Sequence, residues 1–133
     1  MPIEISWYVP KRVLRLHVQG AAGIPQLEQL SKDGQVFLAD GQKPIHILLE
    51  DTHADPPPLN VKRFKQALDF KEEYTAQLGW IVGVGKTNQI ANFVIPLVMK
   101  VLKLKFIRVA TRDEAIAFLM KQDMSLQPSY PEK

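Results

Sequence analysis

Cysteine is absent from the 133-residue chain, and this absence removes a whole class of chemistry. Without a thiol the protein forms no disulfide, uses no cysteine nucleophile and offers no thiolate to a metal. Long hydrophobic runs are missing too: the longest uncharged apolar stretch, residues 90–99, is about half of what a helix needs to span a bilayer. The first residues also lack the basic and then apolar pattern of a secretory signal. We therefore expect a cytoplasmic protein without stable membrane insertion.

Long runs of like charge are lacking as well. The net charge is +3, and the basic residues stand in twos and threes rather than in one block. This pattern does not predict a nucleic-acid partner, because proteins that bind nucleic acids concentrate positive charge on one patch. Apolar residues make up 46% of the chain, which at this length is enough for one domain with a packed core.

Hydrophobic periodicity predicts five strands. Residues 3–9 and 13–18 each alternate between apolar and polar side chains, and a turn at Pro10 joins them into a β-hairpin. Three later segments are short and nearly all apolar, which is typical of buried strands in a parallel sheet. These segments are residues 45–50, 78–85 and 105–110.

Four helices are predicted between and after these strands. The first follows Pro25, the second covers residues 61–76, the third begins after Thr87 or Asn88, and the fourth is capped by Thr111. The order β-β-α-β-α-β-α-β-α predicts an α/β fold with a mixed, mostly parallel five-stranded sheet and helices largely on one face. We expect residues 1–123 to form this domain.

The last ten residues, 124–133, carry two prolines and little apolar content. Chain ends of this composition seldom pack against a core, so we expect a flexible C-terminal tail.

Four blocks of sequence, taken in this order, resemble the STAS superfamily. They are VLRLHVQG at 13–20, PIHILLED at 44–51, LGWIVGVG at 78–85 and FIRVATRDEAIAFL at 106–119. More narrowly, the chain is similar over roughly residues 3–122 to the stand-alone, SpoIIAA-like members of that superfamily. The resemblance implies a SpoIIAA-like fold and a non-enzymatic domain that works by binding a partner, without a cofactor.

The best-known STAS domains are antagonists of anti-sigma factors, and phosphorylation of a serine switches them. That serine stands near the start of the helix after the third strand. Here the corresponding segment is PPPLN at 56–60, which has no hydroxyl, and Thr52 is too close to the strand end. The phosphorylation switch is therefore not carried over to this chain.

The segment GWIVGVGKTNQ, residues 79–89, raises the question of a phosphate-binding loop. Such a loop needs a glycine five residues before Gly85, but that position holds Trp80, and Gly79 comes one residue too early. We therefore expect a glycine turn followed by a helix cap. Backbone amides at that helix start, together with Lys86, remain an alternative site for a small anion.

The segment EDTHAD, residues 50–55, contains residue types that bind metals. Glu50, Asp51, His53 and Asp55 could contribute oxygen and nitrogen ligands, but a closed site needs a further ligand. The other histidines alternate with apolar residues inside strands, so we expect them at a sheet face. We predict no metal here, and expect the aspartates to accept turn hydrogen bonds.

Polar residues follow three strands that the fold places side by side. In a parallel sheet the carboxyl ends of the strands share one edge, and ligands favour that edge. The sequence therefore predicts a candidate ligand-binding rim made of Asp51, His53 and Asp55 after the third strand, Gly85, Lys86 and Thr87 after the fourth, and Arg112 after the fifth.

The predicted helix over residues 89–103 has apolar residues on nearly every side. Its predicted core face consists of Ile90, Phe93, Val94, Leu97, Val101 and the following Leu104. A helix this apolar is usually buried on two sides, so the remaining residues suggest an interface. The candidate interface residues are Ile95, Met99 and Leu102, with a homodimer as the first expectation. Burial between neighbouring helices, or a lipid-facing patch near Lys100, Lys103 and Lys105, are the alternatives.

The STAS resemblance implies a non-catalytic protein-interaction or regulatory module, and the apolar helix suggests that its partner is first of all a second copy of itself. The alternative is a carrier or sensor domain that holds a small apolar or anionic ligand. A hydrolase that uses Lys86 and Asp51 is a more distant possibility.

Overall fold

The structure of the chain is a computed structural model, which describes residues 3–20, 23–54, 62, 66, 76–86, 89–101, 103–123 and 126. The strands are β1 (Ile3–Val9), β2 (Val13–Gly20), β3 (Ile45–Ala54), β4 (Leu78–Val84) and β5 (Lys105–Val109). The helices within the described residues are α1 (Ile24–Asp40), α2 (Gln89–Val101) and α3 (Arg112–Gln122). The helix predicted at 61–76 falls almost entirely outside them.

The five strands form one sheet in the order β1-β2-β3-β4-β5. The hairpin pair β1 and β2 is antiparallel, and each of the three following pairs is parallel. The predicted α/β class and the mixed, mostly parallel five-stranded sheet are therefore confirmed. Since β3, β4 and β5 run in the same direction as neighbours, their carboxyl ends lie at one edge of the sheet.

Each face of the sheet carries its own hydrophobic cluster, because successive side chains of a strand point to opposite faces. On one face, Leu14 and Ile45 pack with Leu38 of α1. On the other, the cluster contains buried residues of β2, β3, β4 and α3, among them Leu48 and Leu119. Helices α1 and α3 therefore cover opposite faces of the sheet.

This arrangement of α3 differs from the expectation that the helices lie largely on one face. Helices α1 and α2 connect parallel strands in one direction along the sheet, and right-handed crossovers place such helices on the same side. Helix α3 follows the last strand and connects it to no other strand. The handedness rule does not apply to it, so it can cover the face opposite α1.

The packed core continues past the predicted domain boundary at residue 123. Leu126 has an exposed fraction of 0% and belongs to the same cluster as Ala115 and Leu119 of α3. This residue was expected in the flexible tail, and it instead packs against the core. The other residues of 124–133 lie outside the described part of the chain.

The buried side of helix α2 differs from the side that its periodicity predicts. Val98 is fully buried, whereas Phe93 is 71% exposed, Val101 41% and Leu97 38%. The predicted core face is therefore wrong for these three residues. Because the helix is apolar on nearly every side, a periodicity of 3.6 fits more than one face, and only packing against the sheet selects one.

The candidate interface residues of this helix are less exposed than its outer side. Ile95 and Met99 are half-buried, so they belong to the side that turns toward the protein. Leu102, the third candidate, lies outside the described residues. The apolar surface that α2 leaves exposed is instead the stripe through Phe93, Leu97 and Val101.

Helix α3 begins with the predicted cap. The Thr111 hydroxyl oxygen accepts a hydrogen bond from the Glu114 backbone N–H at 3.2 Å, and the Glu114 carboxylate accepts one from the Ala110 N–H at 3.1 Å. The first of these bonds satisfies an amide that a helix start leaves without an intrahelical partner, and the second ties the Glu114 side chain to the residue before the cap. The cap fixes the position of Arg112, the first residue of α3.

His46 is a buried structural histidine on the α3 face of the sheet. Its side chain is 2% exposed, and its Nδ1 accepts a hydrogen bond from the Trp80 backbone N–H at 2.9 Å. The proton therefore sits on Nε2, which donates to Asp123 Oδ2 at 2.9 Å. The same Oδ2 accepts from Arg12 Nη2 at 2.8 Å. The ring lies so close to Gly79 that a Cβ there would be 2.4 Å from it.

This environment favours neutral His46. Burial lowers the pKa of His46 below its ordinary value of 6.5, and the contact with Asp123 offsets only part of that effect. A proton on Nδ1 would also remove the acceptor for the Trp80 N–H.

We expect acid to destabilise the fold through His46. The unfolded chain takes up a proton near pH 6.5, while the folded protein resists it, so the free energy of unfolding should fall as pH drops below about 6.5. Urea denaturation between about pH 5 and pH 7.5 measures this slope. The variant His46→Gln should lose that component of the slope, and an unchanged slope in this variant would contradict the assignment.

Candidate recognition rim

The carboxyl ends of β3, β4 and β5 lie at one edge of the sheet. We use the name rim for six described residues at this edge: Glu50, Asp51, Gly85, Lys86, Arg108 and Arg112. The Gly85 N–H donates to the Val109 carbonyl oxygen at 2.8 Å, and the Gly85 carbonyl accepts a hydrogen bond of 3.4 Å from Arg108. The turn after β4 is thus fastened to β5.

Asp51 and Arg108 form a buried ion pair on one side of the rim. Nη1 of Arg108 donates to Oδ1 of Asp51 at 2.8 Å, and Nη2 donates to Oδ2 at 2.9 Å. Two parallel charge-assisted bonds of this kind are among the stronger polar interactions in proteins. Asp51 is 3% exposed, so its carboxylate is occupied by Arg108 rather than open to a ligand.

Gly83 makes room for this ion pair. Asp51 is on β3 and Arg108 on β5, so the arginine side chain must cross the intervening strand β4. A Cβ at Gly83 would lie 2.9–3.1 Å from the guanidinium atoms of Arg108. The absence of a side chain at this position therefore allows the guanidinium to rest on the backbone of β4.

Glu50 binds two arginines, and strand alternation places it on the opposite face from Asp51. Its Oε1 accepts a hydrogen bond from Arg15 Nε, and its Oε2 accepts from Nε and Nη2 of Arg112. The Arg112 guanidinium also lies 5.7 Å from the centre of the Tyr8 ring. This network joins β2, β3 and the start of α3.

The two arginines control the protonation of Glu50. Burial by itself would raise the pKa of Glu50, but the hydrogen bonds and charges of Arg112 and Arg15 outweigh burial and hold the pKa below its ordinary value of 4.5. Glu50 therefore contributes stability above pH 4.5, and that contribution is lost as pH falls through the lowered pKa.

The predicted rim residues differ in their exposure and in their partners. Asp51 is buried in an ion pair, and Arg112 is paired with Glu50 although 45% of its side chain is exposed. Gly85 adopts φ 83°, and a Cβ there would be 2.6 Å from Thr52 Cγ2, so glycine is required for this turn. Lys86 is exposed.

Three other predicted rim residues cannot be placed. Asp55, Thr87 and the side chain of His53 lie outside the described part of the chain.

The geometry at Gly85 is relevant to the question of a phosphate-binding loop. Such a loop holds phosphate with a run of free backbone amides. The Gly85 amide already donates to Val109 in the sheet, so it is not free for this purpose. Among the described residues, no group of three or more histidine or carboxylate side chains is arranged to hold a metal ion.

An open cavity lies away from the rim, between the edge strand β1 and helix α1. Its volume is about 200 Å³, and its lining combines apolar side chains with two glutamines and one aspartate. The lining residues are Ile3, Ile5, Pro25, Gln26, Gln29, Leu30 and Asp33. The Gln29 amide donates to Asp33 at 2.9 Å, which occupies one polar group at this site.

The outer side of α2 is the most apolar exposed surface among the described residues. We call it the α2 face, and it consists of Phe93, Pro96, Leu97, Lys100 and Val101, all exposed. These positions are three or four residues apart and therefore lie on one side of the helix. No helix of the described chain is long and apolar enough to cross a membrane.

Comparison with known proteins gives no assignment for this chain. No model of a protein family matches it, and no curated protein matches it either.

Two arginines that pair with the rim carboxylates were not singled out in the sequence, although a signal for them exists. Arg15 and Arg108 stand inside strands whose neighbouring residues are largely apolar. A charge in such a strand needs a partner, because burying it alone is costly. The sequence does not show which carboxylate is the partner, since Arg108 pairs with a residue 57 positions away.

We expect Arg108→Met to destabilise the protein by about 3 kcal/mol, because it leaves the Asp51 charge buried without a partner. The double variant Asp51→Leu/Arg108→Met should recover most of this loss, since no unpaired charge remains. Arg112→Met is the matched control: Glu50 keeps Arg15, and the loss should stay within about 1 kcal/mol. Urea denaturation measures all three, and equal losses for both arginines would contradict this account.

Proposed function

We propose that the protein is a non-catalytic protein-interaction or regulatory module of the STAS type, without the phosphorylatable serine of the best-known members. The observation that carries this proposal is the α2 face, where Phe93, Leu97 and Val101 remain exposed on one side of a helix. Aligned apolar side chains on a protein surface are typical of sites that bind another molecule.

The state of the rim supports a binding role over a catalytic one. A catalytic group must be free to exchange a proton with a substrate or to attack it. At the rim, Asp51 is bound by Arg108, and Glu50 is bound by Arg15 and Arg112. His46, whose pKa is lowered by burial, uses both ring nitrogens in hydrogen bonds within the fold.

The strand boundaries support the absence of the usual phosphorylation switch. Strand β3 extends to Ala54, so Thr52 lies within the strand and not at the start of a helix. In the STAS domains that this chain resembles, the phosphorylated serine stands near a helix start. Phosphorylation at that position would therefore not control how this module binds its partner.

A second copy of the chain is the simplest partner for such a module. Association would remove the exposed apolar side chains of α2 from water, and each large side chain contributes about 1.5–3 kcal/mol when it is fully buried. The sequence predicts self-association through Ile95, Met99 and Leu102. We propose the α2 face as the contact surface instead, because its apolar side chains are exposed.

Sedimentation velocity over a range of concentrations tests self-association. We expect the wild type to associate reversibly, and Phe93→Ser/Leu97→Ser to weaken association by at least about tenfold, because two apolar contacts are lost. Val36→Ser is the matched control, since Val36 is 70% exposed on α1 and outside the α2 face. A wild type that stays monomeric at every concentration would remove self-association from the proposal.

A small-ligand carrier or sensor remains the second candidate function, and the cavity between β1 and α1 favours it. At about 200 Å³ the cavity is smaller than the 300–1,000 Å³ that is common for drug-sized ligands, so it would suit a compact ligand.

Native mass spectrometry of the purified protein tests the carrier function. A bound compound should appear as a mass increment that Leu30→Trp removes, because the larger side chain fills the cavity. Circular dichroism would verify that the variant is folded. A wild type without any added mass, together with a failure of small apolar or anionic compounds to raise its melting temperature, would exclude the carrier function.

A further inference from the structure

Charge is distributed unevenly along the sequence. Residues 74–112 contain no aspartate or glutamate but include six basic residues. The six are Lys86, Lys100, Lys103, Lys105, Arg108 and Arg112. The rest of the chain holds all 14 acidic residues and only 11 of the 17 basic ones. Helix α2 lies in the middle of this acid-free span.

Part of the positive charge in this span is neutralised within the fold. Arg108 is paired with Asp51 and Arg112 with Glu50, so both of these arginines have acidic partners from β3. Lys105 keeps its charge, but it belongs to β5 and lies 5.7 Å from the centre of the Trp80 ring.

The remaining charges of the span lie at the two ends of α2. Lys86 precedes the helix, Lys100 is in its last turn, and Lys103 follows it. All three are exposed, and they form no ion pair within the described residues.

The apolar and basic residues share one side of α2. Phe93, Leu97 and Val101 are four residues apart, which aligns them along the helix, and Lys100 is near the C-terminal end of the same stripe. Phe93 is 71% exposed, the most exposed aromatic side chain described. An apolar stripe with lysines beside it and no acidic residue is the pattern of a helix that lies on a membrane surface.

We infer that the α2 face docks on an anionic lipid bilayer. Phe93, Leu97 and Val101 enter the boundary between headgroups and acyl chains, and Lys100 and Lys103 bind the anionic headgroups. The helix of 13 residues lies in the plane of the membrane and does not cross it. The inference rests on the docking role proposed for the α2 face, and it makes an anionic bilayer rather than a second copy the main occupant of that face.

Charge favours a bilayer over a second copy as the main occupant of this face. Pairing around a two-fold axis brings the same surface patch together from both chains. The span that contains α2 has no acidic residue, so the lysines of one copy would find no carboxylate from that span in the other. An anionic bilayer satisfies both the apolar stripe and the lysines, because each lysine near such a surface adds to the attraction. A pair formed through the α2 face should therefore be weak.

Vesicle co-sedimentation tests this inference with the full chain. We expect binding to phosphatidylcholine vesicles that contain about 30% phosphatidylserine, and at least about tenfold weaker binding to vesicles of phosphatidylcholine alone. Binding should also weaken as salt is raised, since salt screens the lysines from the headgroups. Equal binding to both vesicles, or no binding to either, would overturn the inference.

Two pairs of variants separate the charge contribution from the apolar contribution. Lys100→Glu/Lys103→Glu should reduce binding by at least about tenfold. Lys32→Glu/Lys121→Glu makes the same change in net charge on α1 and α3 and should stay within about twofold of the wild type. Phe93→Ser/Leu97→Ser should likewise lose binding, while Val36→Ser retains it. Variants that bind no differently from their controls would overturn the assignment to α2.

The absence of cysteine allows a direct readout of depth. In Phe93→Cys the introduced thiol is the only one in the chain, so an environment-sensitive fluorophore attaches there alone. We expect its emission to shift to the blue on vesicles with phosphatidylserine, whereas a fluorophore at Val36→Cys should not shift. Equal shifts at both positions would contradict docking through α2.

The sedimentation and vesicle experiments can contradict the two proposals separately. Loss of self-association in Phe93→Ser/Leu97→Ser without any vesicle binding would leave the proposed interaction module intact and overturn the lipid inference. Vesicle binding by a protein that stays monomeric would support the lipid inference and remove self-association from the proposed function.

Discussion

Arg108 crosses the backbone of β4 at Gly83 to reach Asp51, and this ion pair ties together the carboxyl ends of three parallel strands. On the opposite face, Glu50 links β2 to the start of α3 through Arg15 and Arg112. Buried charges are stable only when they are paired and hydrogen-bonded, so both networks hold the edge of the sheet in one arrangement. The same pairing occupies both carboxylates with arginines of the fold.

The outer side of α2 differs from the sheet edge in its exposed residues. Within the part of the chain that the structure describes, the carboxylates at the edge where parallel α/β proteins commonly hold ligands are held in ion pairs. The outer side of α2 carries exposed apolar side chains and Lys100, which forms no ion pair with another described residue. Its exposed surface thus offers what a partner can bury and neutralise. The hydrogen bond between His46 and Asp123 fastens the end of α3 to the sheet. The response of His46 to acid therefore concerns the stability of the fold.

Several features of the fold could be predicted from local patterns. The alternation in residues 3–9 and 13–18 predicts the hairpin, the three apolar segments predict the parallel strands, and the order of elements predicts the sheet. The hydroxyl and carboxylate of Thr111 and Glu114 predict the start of α3. These features depend on residues close together in the sequence, where periodicity and capping act directly.

The sequence by itself determined the strands and the mixed, mostly parallel sheet, because both follow from local periodicity and from the order of the elements. Tertiary structure alone decided the partner of Arg108, the side of α2 that is buried and the burial of Leu126. Each of these depends on groups far apart in the chain. A helix that is apolar on nearly every side has no local preference for one face, so the sheet against which it packs makes that choice.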